Sequence, residues 1–290
     1  MERKNIIRAL SNHIMLDSLG IEEPGLCYGS SGISICLFES SRILKDSYIE
    51  DFAFALLKQS LVSDYPSVSF HNGLSGIGYA LTYLVRHKFI KTNIESIFQA
   101  QEQHIIDNLI SIIPSQANFE ELIDTLYLAF YFLNVHHIPA CTKKLREINK
   151  ECDKRFTRLW HIISEGYIDN DTEEIIQLWE TYQHVLKHTN RKSNCSSTAL
   201  YQSLITNGYI RKSQYVIRPS SSIHKSTSMN AAAHILQSQN TNELEQALNK
   251  LFGLSRHKTC LKNGIAGLLL RTICEQRPNG NHIRKLLKII

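Results

Sequence analysis

Apolar side chains recur at helical spacing along most of this chain. The spacing of three or four residues runs through the segments 42–62, 94–113, 120–135, 172–186 and 242–252. It is typical of amphipathic helices that bury one face. Alternation of the kind that predicts a strand is confined to one short candidate, residues 215–217. The pattern therefore predicts an all-α protein.

Three further apolar stretches follow one small-residue motif, Gly-x-(Ser/Ala)-Gly-(Ile/Leu). Only 13 glycines occur in the chain, and 8 of them lie in the windows 25–33, 70–78 and 261–268. Two glycines three apart share a helix face, where they let the first turn press against another backbone. We predict that each motif opens a helix and that six glycines are structural: Gly29, Gly32, Gly73, Gly76, Gly264 and Gly267. The motif lacks the Lys-Ser/Thr ending of a phosphate-binding loop.

The spacing of the motifs indicates a repeat architecture. Gly29 and Gly73 are 44 residues apart, and the 191 residues from Gly73 to Gly264 divide into four steps of about 48. Steps of that length suit units of two helices. We therefore predict that residues 1–290 form one domain of about six helical hairpins, of which the middle ones have lost their glycines.

Composition excludes several classes of function. The net charge of +5 is too mild for a nucleic-acid-binding stripe. The N-terminal residues lack the apolar core of a signal peptide, and no apolar run approaches the ~20 residues that span a bilayer. Seven cysteines without a framework suit a reducing cytoplasm. We expect a cytoplasmic protein that binds no nucleic acid and has no membrane span.

Residues 187–225 differ from their surroundings. They are polar and rich in serine, which predicts loops around a short helix near 198–207, and they place Cys195 in a loop. We interpret the segment as an elaborated hairpin and not as a domain boundary.

The three glycine motifs resemble the repeat signature of lanthionine synthetase C-like proteins. The resemblance is closest in Asn72-Gly73-Leu74-Ser75-Gly76 and Asn263-Gly264-Ile265-Ala266-Gly267, and it covers about 45 residues in all. It implies an α/α toroid in which the motifs open the inner helices. It also implies a role in lanthipeptide maturation, in which enzymes of the family add cysteine thiols to dehydrated Ser or Thr.

The sequence lacks the zinc-ligand motif that the resemblance implies. Family enzymes hold zinc with two Cys and one His, two of them within Cys-His-Gly, and this chain contains no Cys-His-Gly. The window expected to hold the ligands, 166–257, has one cysteine, Cys195. A displaced site could use Cys27, His71 and Cys260, although free cysteines are usually buried apolar groups. We expect no cofactor, with zinc as the alternative if such a site exists.

Aligning the repeats brings polar residues to equivalent positions at one mouth of the implied toroid: Tyr28, His71, Asn72, Lys262 and Asn263. Their donors and acceptors suit a peptide backbone, and the lysine suits an acidic leader. A purely structural alternative is that Asn72 and Asn263 cap the inner helices.

The sequence thus favours a zinc-less member that binds a precursor peptide or a partner maturation enzyme, and it identifies no catalytic residue. One alternative is an active zinc-dependent thioether cyclase with rearranged ligands. A second is a carbohydrate-active α/α toroid, for which a carboxylate pair is needed. The acidic residues near 170 are the candidates for that pair, although they also suit the start of a helix: Asp169, Asp171, Glu173 and Glu174.

Overall fold

Every regular element in the described part of the chain is helical. The computed structural model describes residues 3–62, 67–135, 139–165, 172–188, 195–207, 259–261, 264–276 and 281–289. The helices are α1 (Arg3–Asp17), α2 (Ser30–Leu44), α3 (Ser47–Val62), α4 (Leu74–Arg86), α5 (Ile94–Ser111), α6 (Phe119–Val135), α7 (Pro139–Ser164), α8 (Thr172–His188), α9 (Cys195–Thr206), α10 (Ile265–Gln276) and α11 (Asn281–Ile289), with a 3-10 turn at Ser18–Gly20. The all-α prediction is confirmed for these residues.

The chain divides into two compact units. The first unit contains residues 1–99 and 221–290, and the second contains residues 100–220. In the first unit, α2 packs against α1, α3, α4 and α10, α1 also packs against α10, and α11 packs against α10. All three glycine motifs belong to this unit.

Helix α2 is the centre of the first unit, and its residues 30–41 are buried on every side. Such a helix needs small side chains that dispose of their polar groups internally. The hydroxyl of Ser34 donates to the carbonyl of Ser31 (2.7 Å), and the hydroxyl of Ser41 donates to that of Phe38 (2.9 Å). A run rich in serine is therefore compatible with full burial, because these hydroxyls bond within their own helix.

The prediction of one continuous helix over residues 42–62 is wrong, because the helix is interrupted between α2 and α3. Lys45 ends α2 in the left-handed conformation, with φ of 54°. Asp46 directly precedes α3, and its Oδ1 accepts hydrogen bonds from the backbone N–H groups of Tyr48 (3.1 Å) and Ile49 (3.4 Å). A side-chain cap of this kind can interrupt an unbroken apolar pattern.

The second unit is organised around buried aromatic rings. Phe156 and Trp160 of α7 meet Trp179 and Tyr182 of α8, with ring centroids 4.7 Å apart for Phe156 and Trp179 and 5.5 Å apart for the two tryptophans. All four side chains are buried. Arg155 completes the unit by donating to the carbonyl oxygens of Ala117 (2.6 Å) and Pro114 (2.9 Å). Both tryptophans are therefore core residues.

Other sequence predictions have mixed outcomes. The helices predicted for 94–113, 120–135 and 172–186 are confirmed as α5, α6 and α8. Cys195 is not in a loop but at the first residue of α9. The helix at 242–252 and the strand candidate at 215–217 lie outside the described residues. Within the described residues, no helix is both long and apolar enough to cross a membrane.

Candidate functional site

The first glycine of each motif stands at the start of a helix, as predicted. Gly29 is the N-cap residue of α2, Gly73 is that of α4, and Gly264 directly precedes α10. The carbonyl oxygen of each glycine accepts the first helical bond from the residue four positions later, at 3.3, 3.2 and 3.2 Å. The three motifs are therefore equivalent in structure as well as in sequence.

The second glycine of each motif provides space for the preceding loop. A Cβ atom on Gly32, Gly76 or Gly267 would overlap a backbone carbonyl oxygen six residues earlier. Those carbonyls belong to three residues that share one repeat position and have buried side chains: Leu26, Phe70 and Leu261. The loop folds over the first helical turn at a distance that only glycine permits.

The same loops also accept hydrogen bonds from the first backbone N–H groups of the helices. The N–H groups of Ser30 and Leu74 donate to carbonyls seven residues earlier, both at 2.9 Å. Ser31 and Ala266, which share the next repeat position, do the same at 3.2 and 3.3 Å. Free N–H groups at a helix N-terminus are what anions bind. Here these donors are already bonded within the loops.

The three motifs lie side by side. The N–H of Cys27 in the first loop donates to the carbonyl of His71 in the second (2.8 Å), and the Leu26 backbone lies against Gly76. On the other side, a Leu261 methyl lies 3.1 Å from where a Cβ on Gly32 would stand. The first motif is thus flanked by the other two. We name this surface, formed by the described residues 25–32, 69–76, 259–261 and 264–267, the glycine end.

The predicted binding residues that the structure describes are at the glycine end. Tyr28 is 38% exposed, whereas His71 and Asn72 are half-buried. Partial burial, with the neighbouring Cys27 and Cys260 thiols, raises the pKa of Tyr28 to about 12, so its hydroxyl remains a hydrogen-bond donor. Lys262 and Asn263 lie outside the described residues.

Asn72 does not cap α4, so the structural alternative is wrong for this residue. The N-cap is Gly73, and no side chain makes a capping hydrogen bond there. The side-chain Oδ1 of Asn72 is buried and accepts no hydrogen bond from the described part of the chain. A buried acceptor of this kind costs free energy unless a further group donates to it.

The displaced metal site is not assembled. Among the described residues, no group of three or more His, Cys, Asp or Glu side chains is arranged to hold a metal ion. Cys27 is fully buried and Cys260 is half-buried. Of the acidic residues that a carbohydrate-active toroid would use, Asp169 and Asp171 lie outside the described part of the chain, and Glu173 and Glu174 belong to the first turn of α8.

A second polar cluster, which we did not predict, lies toward the opposite ends of α2 and α4. Glu39 of α2 is fully buried, and its Oε1 accepts hydrogen bonds from the Tyr83 hydroxyl (2.7 Å) and from Nε2 of His282 (3.0 Å). The ring of His87 stacks on that of His282, with centroids 4.3 Å apart. We name these four residues the carboxylate cluster.

The repeat spacing contains the signal that was missed. Glu39 and Tyr83 are 44 residues apart, like Gly29 and Gly73, so they occupy one repeat position on neighbouring helices. Glu39 also follows the buried residues Ile35 and Cys36 by one helical turn, which places its carboxylate on an apolar face. A charged residue at such a position is rarely buried without a partner.

Comparison with known proteins adds no relative. No family model matches the chain, and no curated protein and no solved structure matches it either. The resemblance to lanthionine synthetase C-like proteins therefore rests on the glycine motifs of the chain itself.

Proposed function

We propose that this chain is a lanthionine synthetase C-like protein that binds a precursor peptide, or a partner maturation enzyme, at its glycine end. In this proposal the helices form an α/α toroid, and the polar side chains beside the motifs contact the peptide backbone. The protein acts in the cytoplasm as a binding member of a lanthipeptide-type pathway and needs no zinc.

One observation carries the proposal: the three motifs have the same local geometry and lie next to one another. The motif at the end of the chain packs against the first motif, and the first packs against the second. A closed ring of repeats requires the last repeat to contact the first, whereas an unrelated helical bundle has no such requirement.

The polar groups at the glycine end suit a peptide ligand. The half-buried side-chain amide of Asn72 and the Tyr28 hydroxyl can exchange hydrogen bonds with a peptide backbone. His71 adds a ring that is partly exposed beside Phe70. Hydrogen bonds to the main chain of a peptide depend little on the side chains of that peptide.

The proposal is tested by measuring the affinity for a fluorescein-labelled acidic peptide that contains Ser, Thr and Cys. Replacing both His71 and Asn72 with Ala should raise Kd by about tenfold, the equivalent of about 1.4 kcal/mol. The backbone hydrogen bonds of both positions are kept in these variants, so the melting temperature should change little.

The matched control replaces His104 and Asn108, an exposed pair on α5 in the second unit, with Ala. Fluorescence anisotropy should give the control the same affinity as the unmodified protein. Equal affinity of all three proteins, or no saturable binding to any of them, would contradict the proposal.

The zinc-dependent alternative separates from this proposal by metal content. Neither the cyclase nor the carbohydrate-active alternative is favoured by a specific arrangement in the described part of the chain. We expect purified protein to contain well under one zinc ion per chain by elemental analysis. Stoichiometric zinc that is lost on Cys27→Ser or Cys260→Ser would contradict the zinc-less proposal and favour the displaced zinc site.

A further inference from the structure

The carboxylate cluster joins three separate helices through one oxygen atom. Oε1 of Glu39, on α2, accepts from the hydroxyl of Tyr83 on α4 and from Nε2 of His282 on α11. The Glu39 side chain has no exposed surface, and 24% of the His282 side chain is exposed. A charge-assisted hydrogen bond to a fully buried carboxylate is stronger than one at the surface.

His87, at the end of α4, places its ring beside His282. The rings of His87 and His282 are nearly parallel, with an interplanar angle of 26°, and the Tyr83 ring is 4.5 Å from His87. The guanidinium of Arg42 donates to the backbone carbonyl of His87 (2.6 Å) and lies over the ring of Phe89. The histidine pair is therefore packed with a cation beside it.

Helix α11 is short and buries few of its side chains. Two of its side chains are fully buried, Ile283 and Leu286, while Arg284, Lys285 and Lys288 face solvent. The helix has nine residues, and isolated helices of that length are marginal in water. The polar contacts of His282 join α11 to α2 and α4, beside the packing of α11 on α10.

We propose that Glu39, His87 and His282 form a proton-operated latch, which holds α11 on α2 and α4 at neutral pH and releases it in mildly acidic solution. A proton on His87 would place an imidazolium against the stacked ring of His282, with the guanidinium groups of Arg42 and Arg86 close by. The remaining polar neighbours, Tyr83 and the buried Cys36 thiol, cannot offset that charge.

The direction of the pH effect follows from His87. Burial, and then the charges of His282, Arg42 and Arg86, lower the pKa of His87 to about 4 from the ordinary value of 6.5. In the released state the ring would titrate near 6.5, so release takes up a proton between pH 6.5 and 4. The closed latch is thus favoured above about pH 6.5 and weakens as the pH falls.

The test is hydrogen exchange of the amides of α11 in the full chain at pH 7.5 and pH 5.0, corrected for intrinsic exchange rates. We expect the protection of residues 281–289 to fall by at least about tenfold at pH 5.0, the equivalent of one pKa unit. Amides in α2 and α3 should keep their protection. Unchanged protection of α11, or an equal loss in all three helices, would overturn the latch.

Two variants tie the effect to the cluster. His87→Phe keeps an aromatic ring in the stack but removes the proton, so it should reduce the pH effect on α11 to less than about threefold. His104→Gln removes an exposed histidine in the second unit and should leave the effect intact. Full pH dependence in His87→Phe would assign the release to other groups and overturn the proposal.

Discussion

The two ends of α2 and α4 are built by different means. At the glycine end the backbone does the work, because loop carbonyls cap the helix starts and glycines give them room. At the carboxylate cluster the contacts are made by side chains. The repeat position of Glu39 is occupied by Tyr83 in the second repeat and by Cys274 in the last. A constraint on the backbone keeps the same residue in every repeat, whereas a constraint on side-chain chemistry lets the residue differ.

Glycine placement sharpens the contrast. Gly29 and Gly73 have φ of −123° and −116°, which any residue can adopt, so space and not backbone freedom explains them. The left-handed positions after α2 and α4 are Lys45 and Lys88, with φ of 54° and 60°. The chain thus uses glycine where backbones touch and accepts a non-glycine residue where the conformation would favour it.

The largest expected effect is at the glycine end. Gly32→Ala places a Cβ against the Leu26 carbonyl and close to Leu261, so the loop or the helix must move. We expect a loss of about 3 kcal/mol in the free energy of unfolding, measured by urea denaturation. Gly20→Ala is the matched control, because no atom lies within 4 Å of its added Cβ. Equal stability of both variants would show that close approach does not explain the motif.

A smaller effect is expected at the carboxylate cluster. Tyr83→Phe removes the hydroxyl that donates to the buried Glu39 and keeps the ring, so the same denaturation should show a loss of about 2 kcal/mol. Tyr48→Phe, on a side chain that is 70% exposed, should cost less than about 0.5 kcal/mol. If both substitutions cost the same, the hydrogen bond to Glu39 contributes nothing to stability.

The smallest expected effect is a gain. Lys45→Gly relieves the left-handed conformation at the end of α2 and should stabilise the protein by about 0.5 kcal/mol. Lys45→Ala removes the same charge but keeps the Cβ, so its melting temperature should not rise. A gain of the same size in Lys45→Ala would assign the effect to charge and not to backbone conformation.

The sequence predicted the helices and the equivalence of the glycine motifs because both depend on local patterns. It predicted one continuous helix across Lys45 and Asp46, since the apolar spacing continues through a break that a side-chain cap creates. It missed the carboxylate cluster because His87 and His282 are far apart in the chain and follow no repeat spacing. It interpreted Asn72 both as a ligand-binding residue and as a cap, and the hydrogen bonds exclude the cap.

The central claim is that a peptide binds at the glycine end, and site-specific crosslinking tests it most directly. The photoreactive residue p-benzoylphenylalanine is introduced in place of Tyr28, or in place of the more exposed Tyr48 on α3 as a control. After irradiation with the fluorescein-labelled acidic peptide, we predict a labelled adduct at position 28 that excess unlabelled peptide abolishes, and little at position 48. Equal labelling at both positions, or labelling at position 48 alone, would contradict the account.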